Sequence, residues 1–389
     1  MISTEDWLNG LLALLQGAQS GLLALLHALG LAGDSHGQPA WPFAWRIAGE
    51  TLRIDLGQAR QLALSLVLLA AAVLALLLTV VFWRRRVARV LLGGGALALL
   101  VLAPWPDAHV ALAPADPTSF HRSPTGFTAA SVVRGQALYT QHCLACHGAD
   151  GRGQGPQAAA LPVWPPDLAG PLLWRRADGD LFWRILHGLR DRRGATTMAG
   201  FDGQLRDDQV WSLIDYMKAL GAGQGLRVAG LWAQPIGVPD FSVRCDGRAP
   251  RPASAWHGQR LRIVVAGAEP AAPVLEDPRL TTVLLRSGGT APAGIDCVAD
   301  APEAWQALAL VAGTSPQALA GTQFIADRAG WLRARGEPGK ADWSASDLLC
   351  RTETSAAKAP AAPVADGMGA LIARMDAEPV RFIKGGFVH

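Results

Sequence analysis

Charged residues are scarce in this sequence of 389 residues, since Asp, Glu, Lys and Arg make up 17% of it and apolar residues 50%. Soluble domains typically carry about 25% charged residues, so the composition predicts a part that lies in a membrane. The formal net charge is only +3, and no basic run is interleaved with aromatic residues. This excludes a surface that binds nucleic acid through its phosphates.

Cysteine is also rare, with five residues in the whole chain. Two of them, Cys143 and Cys146, are separated by two residues and followed at once by His147. The other three, Cys245, Cys297 and Cys350, lie far apart. They allow at most one disulfide and one free thiol.

One long apolar run, Gln61 to Trp83, carries no charge and is long enough to cross the hydrocarbon core of a bilayer. A shorter, glycine-rich apolar run extends from Val90 to Trp105. The turn between them contains Arg84, Arg85, Arg86 and Arg89. The pattern predicts a helical hairpin whose arginine turn lies in the cytoplasm. Everything after Trp105 is then expected on the periplasmic side of a bacterial inner membrane.

The segment from Trp7 to Leu31 is rich in leucine but fits two arrangements. Its polar residues recur at helical spacing and form a stripe: Asn9, Gln16, Gln19, Ser20 and His27. The segment either crosses the bilayer with this stripe against the hairpin or lies along the interface. It has no basic n-region and no small-residue cleavage site, so a removable signal peptide is not expected.

The stretch HCLACHG, His142 to Gly148, carries the most specific chemistry. A c-type haem is held by two thioether bonds from Cys-x-x-Cys, and the next histidine binds the iron. The pattern assigns Cys143 and Cys146 to the thioethers and His147 to the iron, with one covalently attached haem c (heme c). A zinc site would need a second pair of ligands. A thioredoxin-like dithiol would need a preceding buried strand, whereas RGQALYTQH is helical in pattern.

Three downstream residues are candidates for the second iron ligand. Met217 lies in the amphipathic helix DDQVWSLIDYMKAL and is predicted to pack in the core, and His187 lies in the helical stretch LFWRILHGLR. Met198 lies in the small-residue loop GATTMAGF, and loops on a rigid scaffold often carry ligands. We therefore predict Met198 as the ligand, where a thioether would raise the reduction potential. An ordinary loop methionine is the alternative.

These residues resemble the class I cytochrome c domain between Ala130 and Ala222. The resemblance is carried by GQALYTQHCLACHGADGRGQGP, TTMAGF and LRDDQVWSLIDYMKAL. It implies an all-α domain in which a first helix, Gln136 to His147, leads into the haem motif. A last helix, Asp208 to Leu220, would pack against the first. The family commonly has Pro after the methionine ligand, whereas this chain has Ala199.

The sequence around this domain is similar to two further families. The apolar hairpin followed by DPTSFHRSPTGFTAASVVRGQALY resembles the C-terminal part of copper-resistance D (CopD) proteins fused to cytochrome c, which implies an association with copper handling. No His, Cys or Met lies between Gln61 and Ala103, so the residues of the hairpin give no support of their own for copper transport.

Val238 to Cys350 is predicted to be an α/β unit. Short apolar runs predict strands at Leu261–Val265, Thr281–Leu285 and Thr322–Ala326, with a helix around Ala301–Val311. VPDFSVRCDGRA, WHGQRLRIVV and GTQFIADRAGWLRAR resemble the thioredoxin or peroxiredoxin fold. No cysteine follows Val265, so the fold is expected without its thiol chemistry. The three scattered cysteines are expected in a structural disulfide or simply buried.

Arginines fall on either side of the predicted haem pocket: Arg175, Arg176, Arg190, Arg192 and Arg193. Such a cluster is either a solvated face or a docking patch for an acidic redox partner, which would raise association rates in a salt-dependent way.

The predicted organisation is therefore multidomain. The parts are a membrane region with two to three transmembrane helices (1–105), a linker (106–126), an all-α cytochrome c domain (127–226), an α/β thioredoxin-like domain without catalytic cysteines (227–352), and an Ala/Pro-rich linker and tail (353–389). The predicted function is a membrane-anchored, periplasm-facing mono-haem cytochrome. It would carry single electrons between redox partners, alone or in a larger membrane complex. The alternatives are a copper-handling or redox-sensing membrane protein with an accessory haem domain, and an enzyme with an open haem site.

Overall fold

The computed structural model describes residues 4–267, 276–288, 295–338, 342–350 and 366–385. The chain divides into two compact units, one formed by residues 1–120 with 383–387 and the other mainly by residues 121–382. Most of the predicted Ala/Pro-rich linker lies outside the described residues.

The first unit is mainly helical. In chain order its elements are α1 (Thr4–Ala28), β1 (Asp34–Ser35), β2 (Gln38–Pro39), β3 (Trp45–Ile47), α2 (Gly49–Leu52), α3 (Leu56–Val81), α4 (Arg86–Leu102), α5 (Ala108–Ala111) and β4 (Leu112–Pro114). The strands form two small antiparallel pairs, β1 with β2 and β3 with β4. Asp55 caps the first turn of α3 by accepting a hydrogen bond from the backbone N–H of Gln58 at 3.0 Å.

Helices α3 and α4 form the hairpin that the sequence predicts. Only residues 82–85 connect the two helices. At the other end of the hairpin, the backbone N–H of Asp107 donates to Gln58 Oε1 at 2.6 Å and joins the start of α3 to the chain that follows α4. By length and hydropathy two helices are candidate membrane spans, Asp6–Ala28 with a mean hydropathy of 1.4 and Leu56–Val81 with 2.9. Helix α4 has 17 residues, fewer than the roughly 20 that a span needs, so the second predicted span stays a prediction.

The second unit begins with helices that position the haem motif. Its first elements are α6 (Ala129–His142), α7 (Leu144–His147), α8 (Pro171–Arg175), α9 (Asp178–His187), β5 (Leu189–Arg190), β6 (Thr196–Met198) and α10 (Asp207–Ala229). Helix α6 starts before the predicted Gln136 because the Thr128 side chain accepts a hydrogen bond from the backbone N–H of Ser131. Helix α10 continues past the predicted Leu220 and ends at Gly230, which has the left-handed conformation typical of a helix end.

Helices α6 and α10 cross in direct backbone contact at Gly135. A Cβ atom added to Gly135 would lie 1.9 Å from the carbonyl oxygen of Ser212 on α10. No side chain larger than hydrogen fits this crossing. Gly135 therefore sets the distance between α6 and α10, the two helices that the family resemblance predicts to pack together.

We expect Gly135→Ala to lower the free energy of unfolding of the second unit by about 3 kcal/mol, because the two helices must separate to admit a methyl group. Guanidinium denaturation followed by circular dichroism measures the change. Ala137→Ser, on the exposed side of the same helix, is the control and should change the value by less than about 0.5 kcal/mol. Equal effects of the two substitutions would contradict the tight crossing.

A seven-stranded sheet forms the rest of the second unit. The remaining elements are β7 (Ser242–Cys245), β8 (Arg251–Pro252), β9 (Leu261–Val265), β10 (Thr281–Arg286), β11 (Cys297–Asp300), α11 (Pro302–Val311), β12 (Gln323–Ala326), β13 (Leu332–Gly336) and α12 (Gly367–Ala377). The strand order is β13-β12-β9-β10-β11-β7-β8, with β9, β10 and β11 parallel and the other pairs antiparallel. The three strands and the helix predicted from the apolar runs are present.

The scattered cysteines behave as predicted. A disulfide joins Cys245 of β7 to Cys297 of β11, which are opposite each other in the sheet register. Cys350 is not part of this disulfide and is fully buried. The expectation of a structural disulfide or burial is confirmed for these three residues.

The cytochrome-like helices and the sheet share one apolar core. Ala129 and Ala222 belong to the same buried cluster as Val283 of the sheet. Helix α11 packs on both α6 and α10, and Gln306 Nε2 donates to Gln136 Oε1 at 2.6 Å. The cytochrome-like helices and the sheet region therefore share a core across the predicted domain boundary, and the boundary itself stays a prediction.

Candidate haem-binding site

An apolar crevice of about 500 Å³ opens among α7, α8, α9, β6 and α10. Cys143, His147 and Met198 line it, although they are widely separated in the sequence. Its apolar walls are Leu168, Leu173, Leu181, Ile185, Leu189, Phe201, Leu213 and Met217. The volume is in the range of pockets that enclose a small ligand or cofactor.

The haem motif occupies a single helical turn that begins where α6 ends. The backbone N–H of His147 donates to the carbonyl oxygen of Cys143 at 2.9 Å. This turn directs both residues to the crevice, whereas Cys146 is half-buried and is not among the described residues that line it. The Tyr139 hydroxyl donates to the Gly148 carbonyl oxygen at 2.8 Å and fixes the end of the motif.

The two motif cysteines form no disulfide, and the surroundings of Cys143 disfavour a thiolate. Burial, followed by the nearby Cys146, raises the pKa of Cys143 to about 12. Thiolate ligands of zinc need the opposite shift. Among the described residues there is also no group of three or more His, Cys, Asp or Glu side chains that could hold a metal ion. The donor set therefore favours the haem interpretation over a zinc site.

The buried position of His147 favours the neutral form of its imidazole. Its side chain is 8% exposed. Burial lowers its pKa, and the backbone of Pro166 opposes that shift. The imidazole is therefore neutral at pH 7, the form that binds a metal ion. Within the described part of the chain its buried Nδ1 atom has no hydrogen bond of standard geometry. A thiol, a neutral imidazole and a thioether in one apolar crevice fit a c-type haem.

Met198 is brought to the crevice by a short hairpin, not by the irregular loop that the sequence suggests. It pairs with Leu189 across the β5–β6 ladder. Gly188 precedes this strand with a positive φ of 72°, and an added Cβ there would lie 2.4 Å from the Met198 carbonyl oxygen. A glycine at this position therefore lets the hairpin fold back on the end of α9.

The other two candidate ligands differ from each other. Met217 is buried in the core, as predicted, but its side chain also lines the crevice, which the helical pattern alone did not reveal. His187 is exposed, and its ring contacts Trp183 in a tilted arrangement with ring centroids 3.8 Å apart. It is not among the described residues that line the crevice.

Arg176, which the sequence places in the arginine cluster beside the predicted pocket, lines the crevice together with Asp167. Sequence reasoning missed Arg184, which also lines it. Arg184 follows Leu181, a residue of the crevice wall, at helical spacing. The amphipathic pattern of α9 therefore indicates that Arg184 lies on the face that lines the crevice. The ends of such long side chains can stay in water while their stems cover apolar surface.

Two arginines of the predicted patch lie at the tip of the Met198 hairpin. Arg192 and Arg193 are exposed, and within the described residues neither forms an ion pair. The turn is held by Asp191, whose Oδ1 accepts the backbone N–H groups of Arg193 and Ala195 at 2.8 and 2.9 Å. The tip therefore presents positive charge on the element that carries Met198.

Comparisons with known proteins identify this region. The cytochrome c family model matches residues 132–221. The Cbb3-type cytochrome c oxidase subunit CcoP of Azospirillum brasilense is 33% identical over 154 residues, 37% of this chain and 46% of the relative. The same subunit from Azospirillum sp. (strain B510) is 32% identical over 98 residues, 23% of this chain and 31% of the relative. The dihydro-heme d1 dehydrogenase of Pseudomonas aeruginosa is 43% identical over 83 residues, 21% of this chain and 14% of the relative.

The chain thus spans less than half the length of each of these relatives, and the similarity to each covers at most 37% of this chain. The family match includes the motif Cys143–His147, the Met198 hairpin and most of α10. The chain therefore contains a c-type cytochrome domain at residues 132–221, which implies covalently bound haem c.

Proposed function

We propose that this chain is a membrane-anchored mono-haem cytochrome that carries single electrons between redox partners and turns over no substrate of its own. The observation that carries the proposal is the meeting of Cys143, His147 and Met198 at one apolar crevice. Cys143 and Cys146 would form the thioethers, and His147 and Met198 would be the two axial ligands. When bound in this way, haem c accepts and donates one electron at a time.

The protein side of the crevice supports a carrier rather than an enzyme. His147 and Met198 would both hold the iron of a bound haem, which would leave no position for a substrate. The leucine and phenylalanine walls give the crevice a mainly apolar lining, and a methionine ligand would raise the reduction potential. Copper handling, the alternative, has no comparable group of donors among the described residues.

Carbon monoxide and a potentiometric titration test the carrier proposal. We expect carbon monoxide to leave the spectrum of the reduced protein unchanged, because His147 and Met198 would already hold the iron. We expect the titration to follow a one-electron Nernst curve. A spectrum that shifts with carbon monoxide in the unmodified protein would instead favour an enzyme with an open haem site.

The proposed location is the bacterial inner membrane, with the cytochrome and the sheet in the periplasm. Three observations support it: the apolar, mostly exposed helix α3, the arginines at the closed end of the hairpin, and the disulfide between Cys245 and Cys297. Arginine-rich turns stay in the cytoplasm, and disulfides persist in oxidising compartments such as the periplasm.

The remaining assignments are proposals of the same kind. The sheet region is proposed to be thioredoxin-like, supported by the parallel pair β9–β10 and the antiparallel hairpin β12–β13 beside β9. Packed on α6 and α10, it would serve as a scaffold or docking surface. Similarity to oxidase subunits supports membership of a larger membrane complex. The CopD resemblance and the five domain boundaries stay predictions.

The exposed arginines at the hairpin tip are proposed to guide an acidic redox partner. We expect R192Q/R193Q to slow reduction by an acidic partner about tenfold at low ionic strength and to flatten the salt dependence, because charge steering acts on the association rate. Stopped-flow kinetics from 10 to 300 mM salt measure this. R244Q/R248Q, which removes two exposed charges outside the crevice lining, is the matched control. Salt-independent rates in the unmodified protein would contradict the docking patch.

A further inference from the structure

Helix α1 presents its polar side chains to the protein and its apolar side chains outward. Asn9 and Gln19 are only 5% and 8% exposed. On the opposite face Leu14, Leu22 and Leu25 are 64%, 42% and 56% exposed. From Gly10 to Leu25 the exposed positions of this helix are all Gly, Ala or Leu. Such a face is not suited to water, so something apolar must cover it.

The packed face of α1 lies against the segment 34–52, which runs antiparallel to the helix. Leu8 and Leu12 pack with Leu52, near the start of the helix. Farther along, the Gln19 side chain accepts a hydrogen bond from the backbone N–H of Ile47 at 2.8 Å.

The contact continues to the end of the helix. Leu23 packs with Trp41, and His27 Nε2 lies 3.0 Å from Asp34 Oδ1. From Leu8 to His27 the contact covers about 28 Å of helix axis, which is nearly the thickness of a hydrocarbon core.

This contacting segment cannot lie inside a bilayer. Its strands are only two or three residues long, and residues 40–44 between two of them lie in neither a strand nor a helix. The Asp34 side chain is 64% exposed, and Arg46 forms an ion pair with Glu50. Irregular backbone and charged side chains exposed to lipid are very costly. If α1 crossed the membrane, this whole segment would be carried through the hydrocarbon with it.

Exposed aromatic side chains in the same unit support a position at the membrane surface. Phe43 and Trp45 lie in the segment that packs on α1, and Trp105 follows the last turn of α4. All three are about half exposed. Tryptophan and other aromatic residues gather at the boundary between lipid headgroups and acyl chains.

We propose that α1 lies in the plane of the membrane, with its leucine face in the acyl-chain boundary and the segment 34–52 on the water side. The occupant of the exposed face is the lipid bilayer, which is continuous with the lipid around the apolar hairpin that begins at Leu56. The inference rests on the proposed anchoring by α3 and α4. It decides between the two arrangements that the sequence left open, and it places residues before Leu56 on the same side as those after Trp105.

Spin-label depth in the full chain, reconstituted in phosphatidylcholine–phosphatidylglycerol vesicles, tests this geometry. Nitroxides are attached to Leu14→Cys, Leu25→Cys and Val73→Cys, the last on the exposed face of α3. Leu14 and Leu25 are about 16 Å apart along the axis of α1. We expect both α1 labels at the same shallow depth, within about 5 Å of each other, and the Val73 label deep in the core.

The other outcomes each overturn a different statement. Depths of Leu14 and Leu25 that differ by more than about 10 Å would show a spanning helix. If the labels at both positions were shielded from oxygen and from a water-soluble nickel chelate, a protein partner rather than lipid would cover the leucine face of α1. In both cases a deep Val73 label would leave the anchoring proposal intact. A Val73 label in water would instead overturn the anchoring itself, and the in-plane helix with it.

Discussion

Replacement of both Cys143 and Cys146 by Ala abolishes covalent haem attachment and leaves the second unit without a stable native core. The two thioether bonds are the only covalent links that the motif provides. Without haem, the eight apolar walls would surround a crevice of about 500 Å³. Because the crevice is open to solvent, the cost of about 24 cal/mol per Å³ for an enclosed cavity sets an upper limit of about 12 kcal/mol, which is comparable to the whole stability of a typical domain.

Haem-staining after denaturing electrophoresis and circular dichroism measure the two effects. We expect no stained band and a loss of cooperative unfolding in the double variant. Cys350→Ala is the matched control, because it removes a buried thiol of the same unit that is not among the crevice-lining residues, and it should keep full staining. Full staining of the double variant would show that haem is held elsewhere.

Met198→Leu has the second large expected effect, and Met217→Leu is its matched control. Both methionines line the crevice, and leucine conserves the volume of each side chain. A thioether that binds the iron raises the potential directly, whereas a methionine that only packs in the crevice would change it far less. We expect Met198→Leu to lower the reduction potential by on the order of 0.1–0.2 V, a fraction of the roughly 0.8 V range that axial ligands span.

Met217→Leu should leave the potential unchanged and cost less than about 1.5 kcal/mol of stability. Carbon monoxide gives an independent readout, since it should bind the reduced Met198→Leu protein and not the Met217→Leu protein. The reverse pattern would assign the iron ligand to Met217 on α10. Unchanged spectra in both variants would mean that neither methionine binds the iron.

The parts of the site that the sequence predicts are those fixed by local spacing. Cys143 and His147 reach one crevice because a single helical turn separates them, and this turn is encoded within five residues. The apolar runs at Leu261–Val265 and Thr281–Leu285 similarly predict strands, and both strands are buried almost throughout. The cysteine pair on β7 and β11 needed the sheet register, so the sequence predicted a disulfide or burial without the pairing.

What the sequence left open depends on contacts between distant residues. The sequence predicts that Met217 packs in the core as part of α10. Only the placement of α7 and α9 shows that its side chain also faces the crevice. The polar stripe of α1 is visible in the sequence, but its partner is not. Gln19 bonds to the backbone of Ile47, and no periodicity of α1 predicts a segment 28 residues away.

The most direct test of the central claim is an absorption spectrum of the full chain made in cells that attach haem in the periplasm. The protein is washed with acid–acetone to remove loose haem and is measured oxidised and then reduced. The account predicts that haem stays attached, at one per chain, and that the reduced form shows the sharp α band of a low-spin iron. A washed protein without haem would contradict the account and leave HCLACHG as a thiol or metal site.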